Sequence, residues 1–436
     1  MCVLMPHFLY LRSLISGRRY INKDHRYPCR RLGFMGIYDI FDDESARSIS
    51  GMSIDEMAKK YGTPVIIYSR ARIVSNIRRI REAYENRVRM LYSVKANDNP
   101  RIIEIMHQES IGSDSASPME IMMSIFSGIP PEDILYSPNN ASEYDLNFAL
   151  DRGIAINFNT FTQYRKMREK PERISFRINP GFGMGEFAGT TTGGARTKFG
   201  IDPDAAILAY RKAREDGIRE FGIHMMIGSN NRDHVKIAEA YSNFFRIADR
   251  IGREAGVSFQ FADVGGGLGI PYVQGENELD IAALGSAVLK EFDRYHFGDL
   301  VLEPGRYLVG DAGIIVGTVN DVHNGFAGTD IGMNLNIRPA LYGARHTIIP
   351  VGERVEGEKI TVTGQICENT DRIGDTAWRL SEGDRIMVLD AGAYVYSMSS
   401  RYNGRPRPPE IMIMEDGKDV MIRRREDFSD FIATVV

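Results

Sequence analysis

The chain has 436 residues, 43% hydrophobic and 26% charged, with a formal net charge of −4. That length supports two or three domains around a sizeable core, and the mild acidity gives no electrostatic case for nucleic acid or an anionic membrane. Three cysteines (Cys2, Cys29 and Cys367) are too few and too scattered for a disulfide framework or a zinc cluster, which fits a reducing cytoplasm.

In chain order, the first 34 residues stand apart, with seven Lys/Arg against one acid, Asp24. Cys2–Leu14 is too interrupted, by His7 and Arg12, to make a good signal peptide. The expectation is a basic extension, with the folded protein beginning near Met35 and residues 35–60 packing with a later β domain. No apolar run is long enough to span a bilayer. Val65–Tyr68 reads as a first strand with a helix after it. From residue 90, short apolar runs alternate with amphipathic stretches. The runs are Met90–Val94, Ile111–Asp114, Ile134–Ser137, Ile154–Phe158, Ile174–Asn179, Phe221–Met226, Phe261–Val264 and Leu300–Glu303. Helical patterns lie near 100–108, 118–127, 142–152, 162–169, 204–216, 233–255 and 278–295. One start is well signalled, with Ser117 as cap, Pro118 in the first helical position and Glu120 three residues on. Eight strand–helix units predict an α/β fold, a (β/α)8 TIM-type barrel over 61–313, with an open doubly wound sheet as the alternative.

Beyond residue 313 the helical alternation stops. Ile314–Val322, Thr347–Val351, Lys359–Thr363, Arg385–Asp390, Ile411–Met414 and Val420–Arg423 read as strands between Gly- and Asp-containing turns. They predict a separate β-rich domain, sandwich- or barrel-like, over 314–436.

The chemistry gathers at the expected barrel mouth. Lys95 ends the first barrel strand, where an amine can form a Schiff base with pyridoxal 5'-phosphate. Gly265-Gly266-Gly267-Leu268-Gly269 follows the seventh strand and can offer amides to a phosphate. Ile270-Pro271-Tyr272 then argues against the immediate helix that a dinucleotide site would need. The eighth strand ends in Glu303-Pro304-Gly305-Arg306, and loops after strands seven and eight are where barrels commonly hold phosphate.

With these residues in place, the sequence resembles the diaminopimelate decarboxylases, of the pyridoxal-phosphate family shared with ornithine decarboxylases and alanine racemases. The matching stretches are YSVKAN (92–97), KFGI (198–201), GIHMMIGS (222–229), DVGGGLGIPY (263–272), EPGR (303–306), RPALYGA (338–344), ICENTD (366–371), DAGAY (390–394) and YNGRPRPPE (402–410). The resemblance implies decarboxylation of meso-2,6-diaminopimelate to L-lysine and carbon dioxide, the last step of lysine biosynthesis. It implies that Lys95 carries the cofactor and that Ser229, Gly265, Gly266, Gly267, Gly305 and Arg306 hold its phosphate, with Pro304 in the same turn. Glu303 is expected to face the pyridine nitrogen, Asp114 to sit near the lysine, and Tyr394 to touch cofactor and substrate. Arg306, Arg338, Tyr342 and Glu368 are expected to bind the substrate's far end, where a carboxylate suits guanidinium and an ammonium suits a carboxylate. Cys367 is the expected proton donor to Cα, and its segment is expected to reach a neighbouring subunit, making a homodimer with shared sites. His224 matches the first histidine of the family's G-x-H-x-H-x-G-S stretch. Met226 replaces the second, whose ring stacks on the cofactor, and a thioether can pack there too. Asn369-Thr370 departs from the family's usual Ser-Gly. The rival readings are a decarboxylase of ornithine, lysine or a carboxylated polyamine, a racemase of the same fold, and a non-catalytic pyridoxal-phosphate-binding protein.

Overall fold

The computed structural model describes residues 53–194, 197–273 and 275–436. The expectations for residues 1–34 and for 35–52, Cys2 and Cys29 included, lie outside the described residues. Helix α1 (Ile54–Tyr61) opens with a reciprocal cap: Ser53 Oγ accepts from Glu56 N and Glu56 Oε2 accepts from Ser53 N. Strand β1 (Val65–Ser69) and helix α2 (Arg70–Ala83) follow.

The barrel comes next. It runs β2 (Val88–Ser93), α3 (Pro100–Gln108), β3 (Gly112–Ser115), α4 (Pro118–Phe126), β4 (Ile134–Tyr136), α5 (Glu143–Leu150), β5 (Ala155–Phe158) and α6 (Phe161–Lys166). It continues through β6 (Arg173–Ile178), α7 (Pro203–Glu215), β7 (Glu220–Met225), α8 (His234–Ala255), β8 (Phe259–Asp263), α9 (Ile281–Phe292) and β9 (Asp299–Leu302). All eight strands are parallel, and β2 closes on β9 with Met90 opposite Leu302. The expected barrel is therefore present. Leu91, Leu135, Phe261 and Val301 come from four different strands and form one cluster, apart from the larger core under the helices. Tyr210 of α7 joins the layers: its hydroxyl donates to Gly222 O (2.7 Å) and accepts from Phe176 N (3.0 Å).

After a short α10 (Arg306–Val309) the β-rich part begins. It comprises β10 (Gly313–His323), β11 (Phe326–Thr329), α11 (Arg338–Tyr342), β12 (Ile348–Pro350), β13 (Glu356–Thr363), β14 (Arg372–Trp378), β15 (Arg385–Val388), β16 (Glu410–Ile413), β17 (Asp419–Arg423) and α12 (Phe428–Ile432). Its mixed sheet runs β14-β13-β11-β10-β1-β16-β17, with β15 also on β10 and β12 on β15. Strand β1 sits inside it, antiparallel to β10 and parallel to β16. The span 61–313 expected for the barrel thus opens with a strand that belongs to the sheet. The reason is chemical: Val65 and Ile67 share one apolar cluster with Ile54, Met57, Ile314, Val316 and Ile411. β11 and β14 were not foreseen.

Candidate active site

A cavity of about 220 Å³ opens where the barrel strands end. Lys95 lies there, two residues past β2, in a single turn (Val94–Ala96) rather than in the strand itself. That turn is held from both domains. Ser93 Oγ contacts Asp114 Oδ2 and Glu303 O, each at 3.0 Å, while Tyr394 N donates to Ala96 O at 2.7 Å. Asn97 Nδ2 donates to Tyr68 OH and to Gly392 O, each at 3.0 Å.

Lys95 Nζ donates to Asp114 Oδ2. Burial works against the ammonium, but Asp114 and Glu303 outweigh it and raise the pKa of Lys95. Three buried acids face one another: Asp114 (1% exposed), Asp263 (0%) and Glu303 (4%). Burial, and then Glu303, hold Asp263 well above the usual carboxylate range and also raise Asp114. Burial pushes Glu303 up as well, yet His224, then Lys95 and Arg177, bring it below its ordinary value. His224 Nε2 stands 3.1 Å from Glu303 Oε2. Glu303 is thus the acid that keeps its charge. Its other oxygen, Oε1, is buried without a partner, as is Oδ1 of Asp114.

The glycine run forms a tight turn after β8. Asp263 Oδ1 accepts from Gly265 N at 2.8 Å, and Gly265 and Gly267 have φ of +71° and +92°. A Cβ on Gly266 would lie 2.2 Å from Glu303 O, so the loops after β8 and β9 touch only because that residue has no side chain. Met226 Sδ accepts from Gly266 N (3.2 Å) and also lines the cavity. Gly305 and Arg306 line it from the other side, with Arg306 Nη2 donating to Ser229 Oγ at 3.0 Å. Pro304 accepts from Ser93 N at 3.3 Å. Tyr394 lines the cavity, with the Arg306 guanidinium 4.7 Å from its ring centre.

The structure therefore brings together Lys95, Asp114, His224, Met226, Ser229, Gly266, Gly267, Glu303, Gly305, Arg306 and Tyr394. Six expected residues do not line the cavity: Gly265 and Pro304, which belong to the two turns just described, and Arg338, Tyr342, Cys367 and Glu368. Arg338 is buried next to Tyr272, and Tyr342 stacks on Phe187 at 5.9 Å. Cys367 and Glu368 are exposed: Cys367 Sγ accepts from Asn403 Nδ2 at 2.9 Å, and Glu368 Oε1 accepts from Tyr402 OH.

Several lining residues were not foreseen, among them Ser93, Thr192 and Arg177. Arg177 packs 4.4 Å over the Phe199 ring with Nη2 unpartnered, and burial brings its pKa down to about 10 although Glu303 and Asp114 oppose this. An arginine inside the apolar run Ile174–Ile178 was the available signal.

These features fit pyridoxal 5'-phosphate. An amine, an unpartnered buried carboxylate oxygen and a glycine turn too close for any side chain surround one cavity of small-molecule size.

The comparisons with known proteins agree with that chemistry. Residues 70–310 match the family model described as pyridoxal-dependent decarboxylase, pyridoxal binding domain. A diaminopimelate decarboxylase from Methanothermobacter thermautotrophicus is 39% identical over 411 residues, covering 90% of this chain and 96% of the relative. One from Archaeoglobus fulgidus is 34% identical, covering 88% and 96%. The structure of diaminopimelate decarboxylase from Helicobacter pylori complexed with L-lysine is similar at a TM-score of 0.80 and 29% identity, covering 87% of this chain and 98% of that one.

Proposed function

The chain belongs to the pyridoxal-dependent decarboxylases, and from that premise we propose that it converts meso-2,6-diaminopimelate to L-lysine and carbon dioxide with pyridoxal 5'-phosphate as cofactor. One observation carries the choice of substrate. Arg338 is 2% exposed and pairs with no carboxylate among the described residues, so its buried charge calls for an anion from outside. Diaminopimelate has a second carboxylate to offer, whereas ornithine and lysine end in an amine.

When bound, the cofactor supplies an aldehyde that accepts an amine and a ring that draws off the electrons left by a departing carboxylate. Lys95 would hold the aldehyde, with Asp114 beside the amine to orient it. Glu303, kept ionised by His224, would hold a proton on the pyridine nitrogen through its free Oε1. The amides of Gly265–Gly267 and Gly305, with Ser229 and Arg306, would take the phosphate, and Met226 would pack on the ring. Arg306, Arg338, Tyr342 and Tyr394 would fix the substrate so that only one carboxyl group is placed to leave.

Cα must then be protonated. We assign that proton to the Cys367 thiol, leaving a thiolate, and assign the substrate's far ammonium to Glu368. Both lie outside the cavity lining of their own chain, which supports a homodimer in which each copy completes the other's site. A thiol in that role also favours a reducing location, the cytoplasm.

The test is direct. Purified protein with pyridoxal 5'-phosphate is given meso-diaminopimelate, lysine or ornithine, and carbon dioxide and amine products are measured. Lysine and carbon dioxide from diaminopimelate alone is the expected result. Product from ornithine with none from diaminopimelate would overturn the assignment.

A further inference from the structure

Arg338 begins α11, and its guanidinium is bounded by two uncharged rings. The first is His346, 5% exposed. His346 Nδ1 lies 2.8 Å from Leu389 O, a carbonyl that can only accept, so Nδ1 carries the proton. The Nε2 lone pair is then free to accept from Arg338 Nη1 at 3.2 Å. The second ring is Tyr272. His346 meets it edge-on (5.1 Å, 78°), the Arg338 guanidinium lies 4.5 Å from its centre and the Arg306 guanidinium 5.5 Å. Arg306 also donates to the Tyr272 hydroxyl. Since Arg306 lines the cavity, Tyr272 sets Arg338 in register with it.

We propose that His346 is a positioning residue that orients Arg338, against Tyr272, to receive the substrate's far carboxylate. This rests on the assignment of Arg338 to that carboxylate. A hydrogen bond from a charged donor to a neutral acceptor fixes direction without cancelling charge. Glutamate or aspartate at 346 would neutralise the guanidinium and compete with the substrate, while an apolar residue would let it turn. Burial, with Arg338 next, holds the His346 pKa down to about 3, which keeps the imidazole uncharged throughout the working range.

The experiment compares holoenzyme of wild type, His346→Leu, His346→Gln and Arg338→Ala. It reads KM and kcat for meso-diaminopimelate, inhibition by L-lysine (which retains the far carboxylate), inhibition by cadaverine (which has no carboxylate), and cofactor absorbance. We expect His346→Leu to raise KM and the L-lysine inhibition constant about tenfold or more, the range for losing a hydrogen bond to a charged group. Cofactor absorbance, cadaverine inhibition and, within about threefold, kcat should stay as they are. His346→Gln, whose Oε1 can still accept, should recover most of the loss. Should His346→Leu not fold, a His346→Gln enzyme near wild type in KM supports the proposal, and one as impaired as Arg338→Ala overturns it. If Arg338→Ala raises both constants but His346→Leu raises neither, the positioning role fails alone. Equal weakening toward L-lysine and cadaverine, or loss of cofactor absorbance, makes the histidine merely structural and also overturns it. If Arg338→Ala moves neither constant, the assignment of the far carboxylate fails with it.

Discussion

Glu303 shows how a residue is set by its neighbours. Burial by itself raises its carboxyl pKa; His224 at 3.1 Å, with Lys95 and Arg177, brings it below its ordinary value. Replacing it by glutamine should leave the cofactor bound yet lower kcat by about 10²-fold or more, read by steady-state kinetics beside cofactor absorbance. Cys367→Ala should lower kcat by about 10²–10⁴-fold while Lys95 still takes up the cofactor. His346 offers a separate check through stability. Its folded pKa of about 3 lies below the ordinary 6.5, so between those values the unfolded chain binds a proton that the folded chain refuses. Stability is therefore lost as pH falls from 6.5 toward 3. Denaturant titrations should show wild type losing up to about 1.4 kcal/mol more per pH unit than His346→Gln. At this scale the sequence displayed Lys95, Glu303 and the glycines, because each closely follows a strand that reads as one. It marked Arg177 only as an arginine inside an apolar run, and it did not display His346. Their partners, Phe199 and Leu389, lie 22 and 43 residues away and meet them only through the fold.

Elements were legible to different degrees. The eight barrel strands stood out because a parallel strand covered on both faces reads as an apolar run. Strand β14, Arg372–Trp378, escaped notice as a sheet edge with only Ile373 and Thr376 buried. Strand β11 has four residues, one of them Gly328, and too little pattern to be seen. The start of α4 was written in the chain: Ser117 Oγ accepts from Glu120 N at 3.2 Å, while Glu120 Oε2 accepts from Ala116 N rather than from the cap itself. Ser117→Ala should cost about 1 kcal/mol in denaturant unfolding with little effect on KM. Gly266→Ala should act elsewhere. Its methyl group would meet Glu303 O at 2.2 Å, so the turn must open and cofactor affinity should drop, measured by titrating apoenzyme with pyridoxal 5'-phosphate.

At the scale of the whole molecule, the proposed roles of the exposed pair Cys367–Glu368 would make the assembly part of the chemistry. If each cavity borrows that pair from a second copy, inactive Lys95→Ala and inactive Cys367→Ala should complement one another. Mixed after dissociation, they should regain up to about a quarter of wild-type specific activity, since half of randomly formed dimers carry one intact site. Complete silence of the mixture, with mixed dimers shown to form, would put both groups in one chain.

The seat of β1 carries a temporal consequence. Its neighbours on either side, β10 and β16, are made about 250 and 340 residues after it. During synthesis the barrel strands can pair in turn as they emerge, but Val65–Ser69 must wait with both edges bare until β10 has emerged, and with one edge bare until β16 follows. Nascent chains stalled before residue 313 should therefore show protected barrel amides alongside a protease-sensitive stretch near 65–69.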